Sequence, residues 1–296
     1  MTETPPFLAL SQAIEATARQ GAPLVAGLEW CGRHHISGIL WRDGVLVTSH
    51  QSLPKAEGYT AVLPSGARVA ATLAGRDPAT NVAALRLEGA GPPVAHAEPG
   101  GVGALVLALG SDGEGAITAR LGSVDVLGPA WESLHGGRID LRMQLAVRLG
   151  EAAEGGPVID AAGRLFGMST FGPRRRVLVI PAITVGRVLE VLLREGRIMR
   201  GWLGVGLHPV ALPRELAERV GAGHGLMIVN LAENAPAAGV LLPGDILLAI
   251  EGTPVATPRN VAASLGPERI GQTVTLTVLR GGAVTELRVT IAARPT

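Results

Sequence analysis

The hydrophobic positions of this chain change period twice. Over residues 7–19, Phe7, Leu10, Ile14 and Ala18 recur at helical spacing, which predicts an amphipathic helix stopped near Gly21. From about 22 to 180 the apolar positions fall in short runs divided by turn formers. Gly38-Ile39-Leu40-Trp41, then Arg42-Asp43-Gly44, then Val45-Leu46-Val47 read as a hairpin, because Asp-Gly between apolar runs suits a tight reversal. Further strands are predicted at 60–63, 68–73, 83–87, 104–109, 117–126, 141–147, 158–159, 165–168 and 177–180. Many short strands with little helix predict packed β-barrels. A helix follows at about 182–195, with Ile183, Val188, Leu189 and Leu192 available for burial, and Arg194-Glu195-Gly196-Arg197 reads as its end and a linker. A second unit begins at Gly201, with its own strands and one or two short helices. It ends in strands at 273–279 and 286–291 around the turn Arg280-Gly281-Gly282. The predicted organisation is a helical segment at 1–21, a mainly β domain at 22–196 and a second domain at 197–296.

Composition narrows this picture. Of 296 residues 47% are apolar and only 3% aromatic, so the cores must be mostly aliphatic. A formal net charge of +1 gives no global attraction to nucleic acid or to an anionic membrane. The single cysteine, Cys31, excludes an intrachain disulfide and reads as a small core residue in a strand at 28–31. The longest apolar run, 102–109, is broken by Gly103 and is too short to cross a bilayer, so no membrane span is expected. The opening Met1-Thr2-Glu3-Thr4-Pro5-Pro6 lacks the basic region of a secretory signal. The expectation is a cytoplasmic protein, with a periplasmic one as the alternative if the N-terminus has been trimmed. His34-His35 are adjacent in a predicted strand and face opposite ways, with no third ligand evident. No metal and no cofactor are expected. Arg174-Arg175-Arg176 fits either a contact to an anionic partner or a solvated loop, and the solvated loop is the preferred reading.

The chemistry is read from a set of linked motifs. Ala152-Ala153-Glu154-Gly155-Gly156-Pro157 resembles the Gly-x-Ser-Gly-Gly-Pro nucleophile loop of trypsin-like serine proteases. Upstream lie Ser37-Gly38-Ile39-Leu40, Val47-Thr48-Ser49-His50-Gln51, Asp77-Pro78-Ala79-Thr80-Asn81-Val82-Ala83, Ala108-Leu109-Gly110-Ser111 and Ile117 to Val124. Downstream lie Ile180-Pro181 and Arg200-Gly201-Trp202-Leu203-Gly204-Val205. In this order they resemble the HtrA/Deg family. The resemblance implies a trypsin-like double β-barrel followed by one PDZ domain.

Carried onto this chain, the resemblance places Gln51 at the position of the base, Asn81 at that of the orienting acid and Glu154 at that of the nucleophile. Glutamine cannot accept and return a proton near neutral pH. Asparagine cannot stabilise an imidazolium, and an Asp-to-Asn change at this position of a serine protease costs roughly ten-thousand-fold in rate. A carboxylate at Glu154 is a weak nucleophile toward an amide, and it sets negative charge beside a pocket meant for an oxyanion. Ala152 replaces a glycine whose N–H helps to form that pocket. His50 lies one residue before the base position, but a one-residue slip in a strand turns a side chain to the other face. His50 is therefore read as a half-buried polar residue at a strand end.

The second unit carries the binding signal. Gly201 to Val205 resembles the carboxylate-binding loop of PDZ domains, whose backbone N–H groups cradle a peptide C-terminus. Gly225 to Val229, Ala235-Pro236-Ala237-Ala238 and Leu242-Pro243-Gly244-Asp245-Ile246-Leu247 continue the match. The expected groove is formed by Trp202, Leu203, Gly204, Val205, Gly206 and Leu207 on one side. Asn260, Ala263 and Ser264 of a helix at about 258–265 form the other, with Val261 and Leu265 turned to the core. The functional expectation is a catalytically inactive HtrA-like protein that binds peptides or protein C-termini as an adaptor, scaffold or regulator. Two alternatives stand beside it: an active or residually active endopeptidase, and a structural subunit with a vestigial PDZ domain. The resemblance further implies a homo-oligomer, a trimer built through the N-terminal segment, with Phe7 to Ile14 as its surface.

Overall fold

The computed structural model describes residues 5–30, 34–42, 44–56, 58–88, 96, 98, 100–133 and 136–295. The Cys31 reading and the Asp43 turn lie outside them, as does the side chain of His34. The chain divides into two compact units, Met1–Trp131 with Arg138–Ile198, and Glu132–Gly137 with Met199–Thr296.

The first unit opens with helix α1 (Pro6–Gly21). Ile14 and Ala18 pack on the core below it, whereas Phe7, Leu8 and Leu10 stay exposed. Gly21 is buried where an added Cβ would come within 2.6 Å of Ile159 and Leu109 side-chain atoms. Six antiparallel strands then close a barrel in the order β1-β2-β3-β6-β5-β4. They are β1 (Val25–Trp30), β2 (His34–Arg42), β3 (Val45–Ser49), β4 (Tyr59–Val62), β5 (Arg68–Asp77) and β6 (Val82–Leu87). Strands β7 (Leu105–Ser111) and β8 (Ile117–Gly128) follow, then the two-residue strands β9 (Trp131–Glu132) and β10 (Arg138–Ile139). With β11 (Arg142–Leu145), β12 (Pro157–Asp160), β13 (Leu165–Phe171) and β14 (Val177–Pro181), β7 and β8 close a second barrel, ordered β11-β14-β13-β12-β7-β8.

The near-continuous apolar runs have a geometric cause. Successive side chains of a strand face opposite sides. On β7, Val106 and Ala108 fill the second barrel, while Leu107 and Leu109 face the seam between barrels. On β3, Leu46 fills the first barrel, and Val45 and Val47 face the same seam. Both faces are buried, so alternation with polar residues disappears. Helix α2 (Ala182–Glu195) covers the seam with Val185, Val188, Leu189 and Leu192. Ile183, expected in that face, is instead 68% exposed. At about 100° per residue it stands opposite Leu192.

The second unit holds β15 (Gly201–Trp202), β16 (Val205–Ala211), α3 (Arg214–Val220), β17 (His224–Leu231), β18 (Ile246–Ile250) and β19 (Thr253–Pro254). Helix α4 (Pro258–Ala263), β20 (Thr273–Arg280), β21 (Ala283–Thr290) and β22 (Ala292–Ala293) complete it. The main sheet runs β16-β17-β18-β20-β21, so β16 is an end strand, and β15 pairs with β22. Gly281 and Gly282 both have positive φ, 56° and 82°, as the two-residue hairpin between β20 and β21 requires. The Leu226, Leu247, Val274, Leu276 and Val278 side chains form an aliphatic core.

One ion pair anchors this second unit. Asp245, 2% exposed, accepts from Arg280 Nε at 2.8 Å and Nη2 at 2.6 Å, and from the Leu242 N–H at 2.8 Å. The Arg280 hydrogen bonds hold the Asp245 carboxyl below the usual carboxylate range, against the opposing effect of burial. A depressed carboxyl stabilises the fold above its unfolded pKa, about 3.9. That contribution disappears as pH falls through the lower, folded value. Asp245→Asn is expected to cost about 2 kcal/mol at neutral pH. This is less than for a fully buried pair, because the Arg280 side chain keeps 34% of its exposure. Amide exchange in β18 and β20, followed in the full chain, checks it. Unchanged protection would show that the pair adds nothing.

Candidate functional site

Three loops meet where the barrels join. The first leaves β3 at Ser49 and carries Gln51 and Ser52. The second precedes β6 and carries Asn81, whose φ of 60° is left-handed, a conformation asparagine tolerates better than most residues. The third follows a short 3₁₀ turn, Glu151–Ala153, and carries Glu154. Thr170 and Phe171, at the end of β13, form the fourth wall.

Glu154 sits at the centre and is 6% exposed. Its Oε1 accepts from Gln51 Nε2 at 2.5 Å, Thr170 Oγ1 at 2.7 Å, Ser49 Oγ at 3.0 Å and the Phe171 N–H at 3.2 Å. Ser52 Oγ donates to Oε2. Asn81 stands one step behind. Its Nδ2 donates to Thr170 Oγ1 at 2.7 Å and Ser49 Oγ at 3.0 Å, and its Oδ1 accepts from the Gln51 N–H at 2.7 Å. Gln51 Nε2 also donates to the Phe171 carbonyl at 2.9 Å. The two hydroxyls can each receive a proton from Asn81 because they pass their own to the carboxylate. The His50 backbone joins the same turn, its N–H donating to the Asn81 carbonyl at 3.2 Å.

The structure thus brings Gln51, Asn81 and Glu154 together. It adds Ser49, Ser52 and Thr170, which sequence reasoning did not single out. Periodicity gives no signal for them. The available clue is chemical, since a buried carboxylate needs donors and hydroxyl residues lie within or beside the loop motifs.

The backbone of this loop is turned inward. The N–H groups of Ala153, Glu154, Gly155 and Gly156 donate to the carbonyls of Gly150, Glu151, Ser169 and Ala153, at 2.9–3.2 Å. Ser37 Oγ donates to the Ala152 carbonyl at 2.7 Å. The Glu154 N–H is therefore spent within its own turn. Both glycines are demanded by packing. A Cβ on Gly155 would lie 2.4 Å from the Ser37 carbonyl oxygen, and one on Gly156 would lie 2.1 Å from that of Leu109.

A second cleft, of about 230 Å³, lies in the second unit. One side is the Trp202-Leu203-Gly204-Val205 loop with Leu207. The other is Pro258, Val261, Ala262 and Leu265, and Arg200 and Arg294 also line it. Gly204, at φ 75°, lets the loop pass close to Ala235, whose side chain an added Cβ would meet at 2.4 Å. The Leu203 and Gly204 carbonyls accept from Ala237 and Ala232. Asn260, Ala263 and Ser264 are not in this lining, and neither is Gly206. Asn260 is used in the cap of α4, its Oδ1 accepting from Thr257 Oγ1 at 2.8 Å, and Ser264 Oγ donates to the Asn260 carbonyl. The lining residues 258, 261, 262 and 265 have the i, i+3, i+4, i+7 spacing of one helical face. Val261 and Leu265 serve both core and cleft floor. Among the described residues no helix is long and apolar enough to cross a membrane, and no group of three His, Cys, Asp or Glu side chains could hold a metal ion.

Comparison with known proteins follows the same division. Residues 36–168 match the trypsin-like peptidase domain, and residues 201–291 match the PDZ domain. A probable periplasmic serine endoprotease DegP-like of Brucella suis biovar 1 (strain 1330) is 29% identical over 271 residues, covering 87% of this chain and 52% of the relative. Its counterpart in Rhizobium meliloti (strain 1021) is 28% identical with similar coverage. The chain thus spans about half the length of the curated relatives it matches. Among solved structures, the HtrA-type protease AlgW with tripeptide superposes with a TM-score of 0.74 at 27% identity, over 95% of this chain and 97% of that one. The serine endoprotease from Yersinia pestis shares the fold, with a TM-score of 0.78 at 22% identity over the full length of both. The fold is a trypsin-like double barrel with a C-terminal PDZ domain. The expectation of a cytoplasmic location is overturned by the curated relatives, which are named periplasmic. A leader is removed from a mature exported protein, so its absence from a sequence is no argument for the cytoplasm.

The Glu154 cluster makes a stability prediction. Glu154→Leu fills similar space but leaves four donors, Ser49, Ser52, Thr170 and the Phe171 N–H, without their acceptor, while Gln51 keeps the Phe171 carbonyl. Each unmet buried donor costs about 1–3 kcal/mol, and relaxation recovers part, so a loss of about 3 kcal/mol is expected. Glu154→Gln keeps one acceptor oxygen and should lose less. Urea unfolding of the full chain measures both. A Leu variant as stable as the parent would show that the carboxylate is not structural.

Proposed function

The chain is homologous to the DegP/HtrA proteases, and we propose that it is a catalytically inactive relative that binds peptides instead of cleaving them. The observation that carries this reading is Glu154. A carboxylate occupies the nucleophile position, and its lone pairs are taken by donors from the surrounding loops and strand end. The side chain at the base position, Gln51, is one of those donors. Peptide cleavage by this fold needs a hydroxyl, a base that removes its proton and N–H groups that receive the oxyanion. Here the hydroxyl is absent at 154, the base position is an amide, and the Glu154 N–H is engaged by Glu151. Ser49, Ser52 and Thr170 are hydroxyls, but each donates its proton to a carboxylate that is already bound.

The binding half of the reading rests on the second cleft. Strand β16 ends its sheet and offers an edge on which an extended peptide can add. Apolar walls from Val205, Leu207, Val261, Ala262 and Leu265 suit an apolar terminal residue. The Leu203–Val205 loop, with Arg200 and Arg294 at the rim, suits a terminal carboxylate. The AlgW structure carrying a tripeptide supports peptide binding. The relatives' location supports a periplasmic site of action. Phe7, Leu8 and Leu10, exposed on α1, support self-association through the N-terminal segment.

Two experiments test the two halves. The purified chain should cleave no casein and take up no fluorophosphonate, and Glu154→Ser alone should restore neither, because Gln51 cannot remove the serine proton. Labelling of the parent chain that disappears on changing a residue of this cluster would instead establish a protease. Separately, calorimetric titration of the full chain with peptides ending in an apolar residue should give affinities on the order of micromolar. Amidating the peptide terminus should weaken binding at least tenfold. Equal binding of acid and amide forms would remove the carboxylate-capture reading and leave inactivity untouched.

A further inference from the structure

The run Arg174-Arg175-Arg176 serves neither the Glu154 cluster nor the PDZ cleft, and the structure divides it. Arg175 turns toward the Glu154 loop. Its Nη1 lies 2.9 Å from Glu151 Oε1, and its guanidinium sits 4.7 Å over the Phe171 ring. Arg174 and Arg175 both have φ of 57°, a left-handed conformation unfavourable for side chains of this size. With Arg175 pinned this way, Arg174 and Arg176 line a separate cleft of about 250 Å³ on the barrel unit. Arg142, from β11, lines it too.

Three arginines, Arg142, Arg174 and Arg176, thus line one small cleft. Among the described residues none of the three has a carboxylate partner, whereas Arg138, Arg164, Arg175 and Arg187 of the same unit are all paired. Met143 and Leu178 give the cleft an apolar floor. Trp131 lines it as well, and its indole Nε1 is buried with no hydrogen-bond partner among the described residues. A buried N–H is normally paired, so this one marks a place where an acceptor is wanted. Three arginines around one cleft, none with a carboxylate partner among the described residues, mark the same need.

We propose that this cleft is a second peptide site, which takes acidic side chains of an extended segment. Guanidinium forks match carboxylates two bonds at a time, and a small turn of the Trp131 ring on binding would bring its buried N–H to the ligand as one further donor. The cleft holds one or two side chains, and its floor suits an apolar residue beside the acidic one. A bare inorganic anion would use the charges but leave the floor empty. The site extends the peptide-binding reading to the barrel unit but uses no carboxyl terminus, so the two can fail separately.

The test uses the full chain and a fluorescein-labelled hexapeptide of alternating Glu and Leu, amidated at its C-terminus, with a Gln-for-Glu counterpart. Fluorescence anisotropy at low salt should give at least tenfold tighter binding of the acidic peptide. Arg142→Gln with Arg176→Gln should weaken it at least fivefold and flatten its salt dependence. Trp131→Phe, which keeps an aromatic ring and removes the N–H, should weaken it severalfold. Arg120→Gln, an exposed arginine elsewhere on the same barrel, should change nothing, and circular dichroism verifies that each variant is folded. Competition with a PDZ ligand should leave the acidic peptide bound. Equal affinity for the acidic and neutral peptides, an unchanged affinity in the double variant, or an equal loss in Arg120→Gln would overturn the proposal.

Discussion

A carboxylate removed from water dominates this structure. Ionised groups are rarely buried unless their lone pairs are taken, because the lost hydration amounts to several kcal/mol. At Glu154 compensation is supplied by donors on neighbouring loops and strand ends, drawn from both barrels. That requirement accounts for the neighbouring side chains. Gln51 is useful here as a donor, and a neutral imidazole could offer only one N–H. Asn81 both donates and accepts, orienting Ser49 and Thr170 toward the carboxylate while holding the backbone of Gln51. An aspartate at 81 would put a second negative charge behind the first and remove two of those donations. Gln51, Asn81 and Glu154 are thus chemically consistent with one another.

The scaffold beneath them has its own reasons to persist. Gly155 and Gly156 are fixed by their approach to the Ser37 and Leu109 carbonyls, the first across the seam from the other barrel and the second on the neighbouring strand β7. Loop shape is therefore set by packing, while the identity of residue 154 is set by what its side chain meets. These are separate constraints. A chain can keep this loop with a carboxylate at 154 and remain folded, provided that side chain is matched by its surroundings. Five hydrogen bonds to one carboxylate are such a match.

Much of this is legible in the sequence, and the failures have specific causes. Strand runs are visible because β3 and β7 are buried on both faces, which leaves uninterrupted apolar letters. The loops carrying Gln51, Asn81 and Glu154 are located by their order and their flanking motifs. Their hydroxyl partners are not, because Ser49, Ser52 and Thr170 come from two strand ends and a turn that only the closed barrels bring together. Ile183 misleads because an apolar residue at a helix start belongs to no face until the helix phase is fixed by Val185 and Leu189. Asn260 reads in the sequence as a ligand contact, and its use in the capping box of α4 is visible only once the helix start is placed.

The two units treat hydrogen-bond donors in opposite ways. In the barrel unit, donors converge on a carboxylate that is part of the chain, and the result is internal cohesion. In the second unit the Leu203 and Gly204 carbonyls are engaged by Ala237 and Ala232. Arg200 and Arg294 add positive charge at the same rim. A loop with occupied acceptors and cationic neighbours complements a carboxylate from outside. The same chemistry supports the reading that this chain holds peptides and leaves their bonds intact.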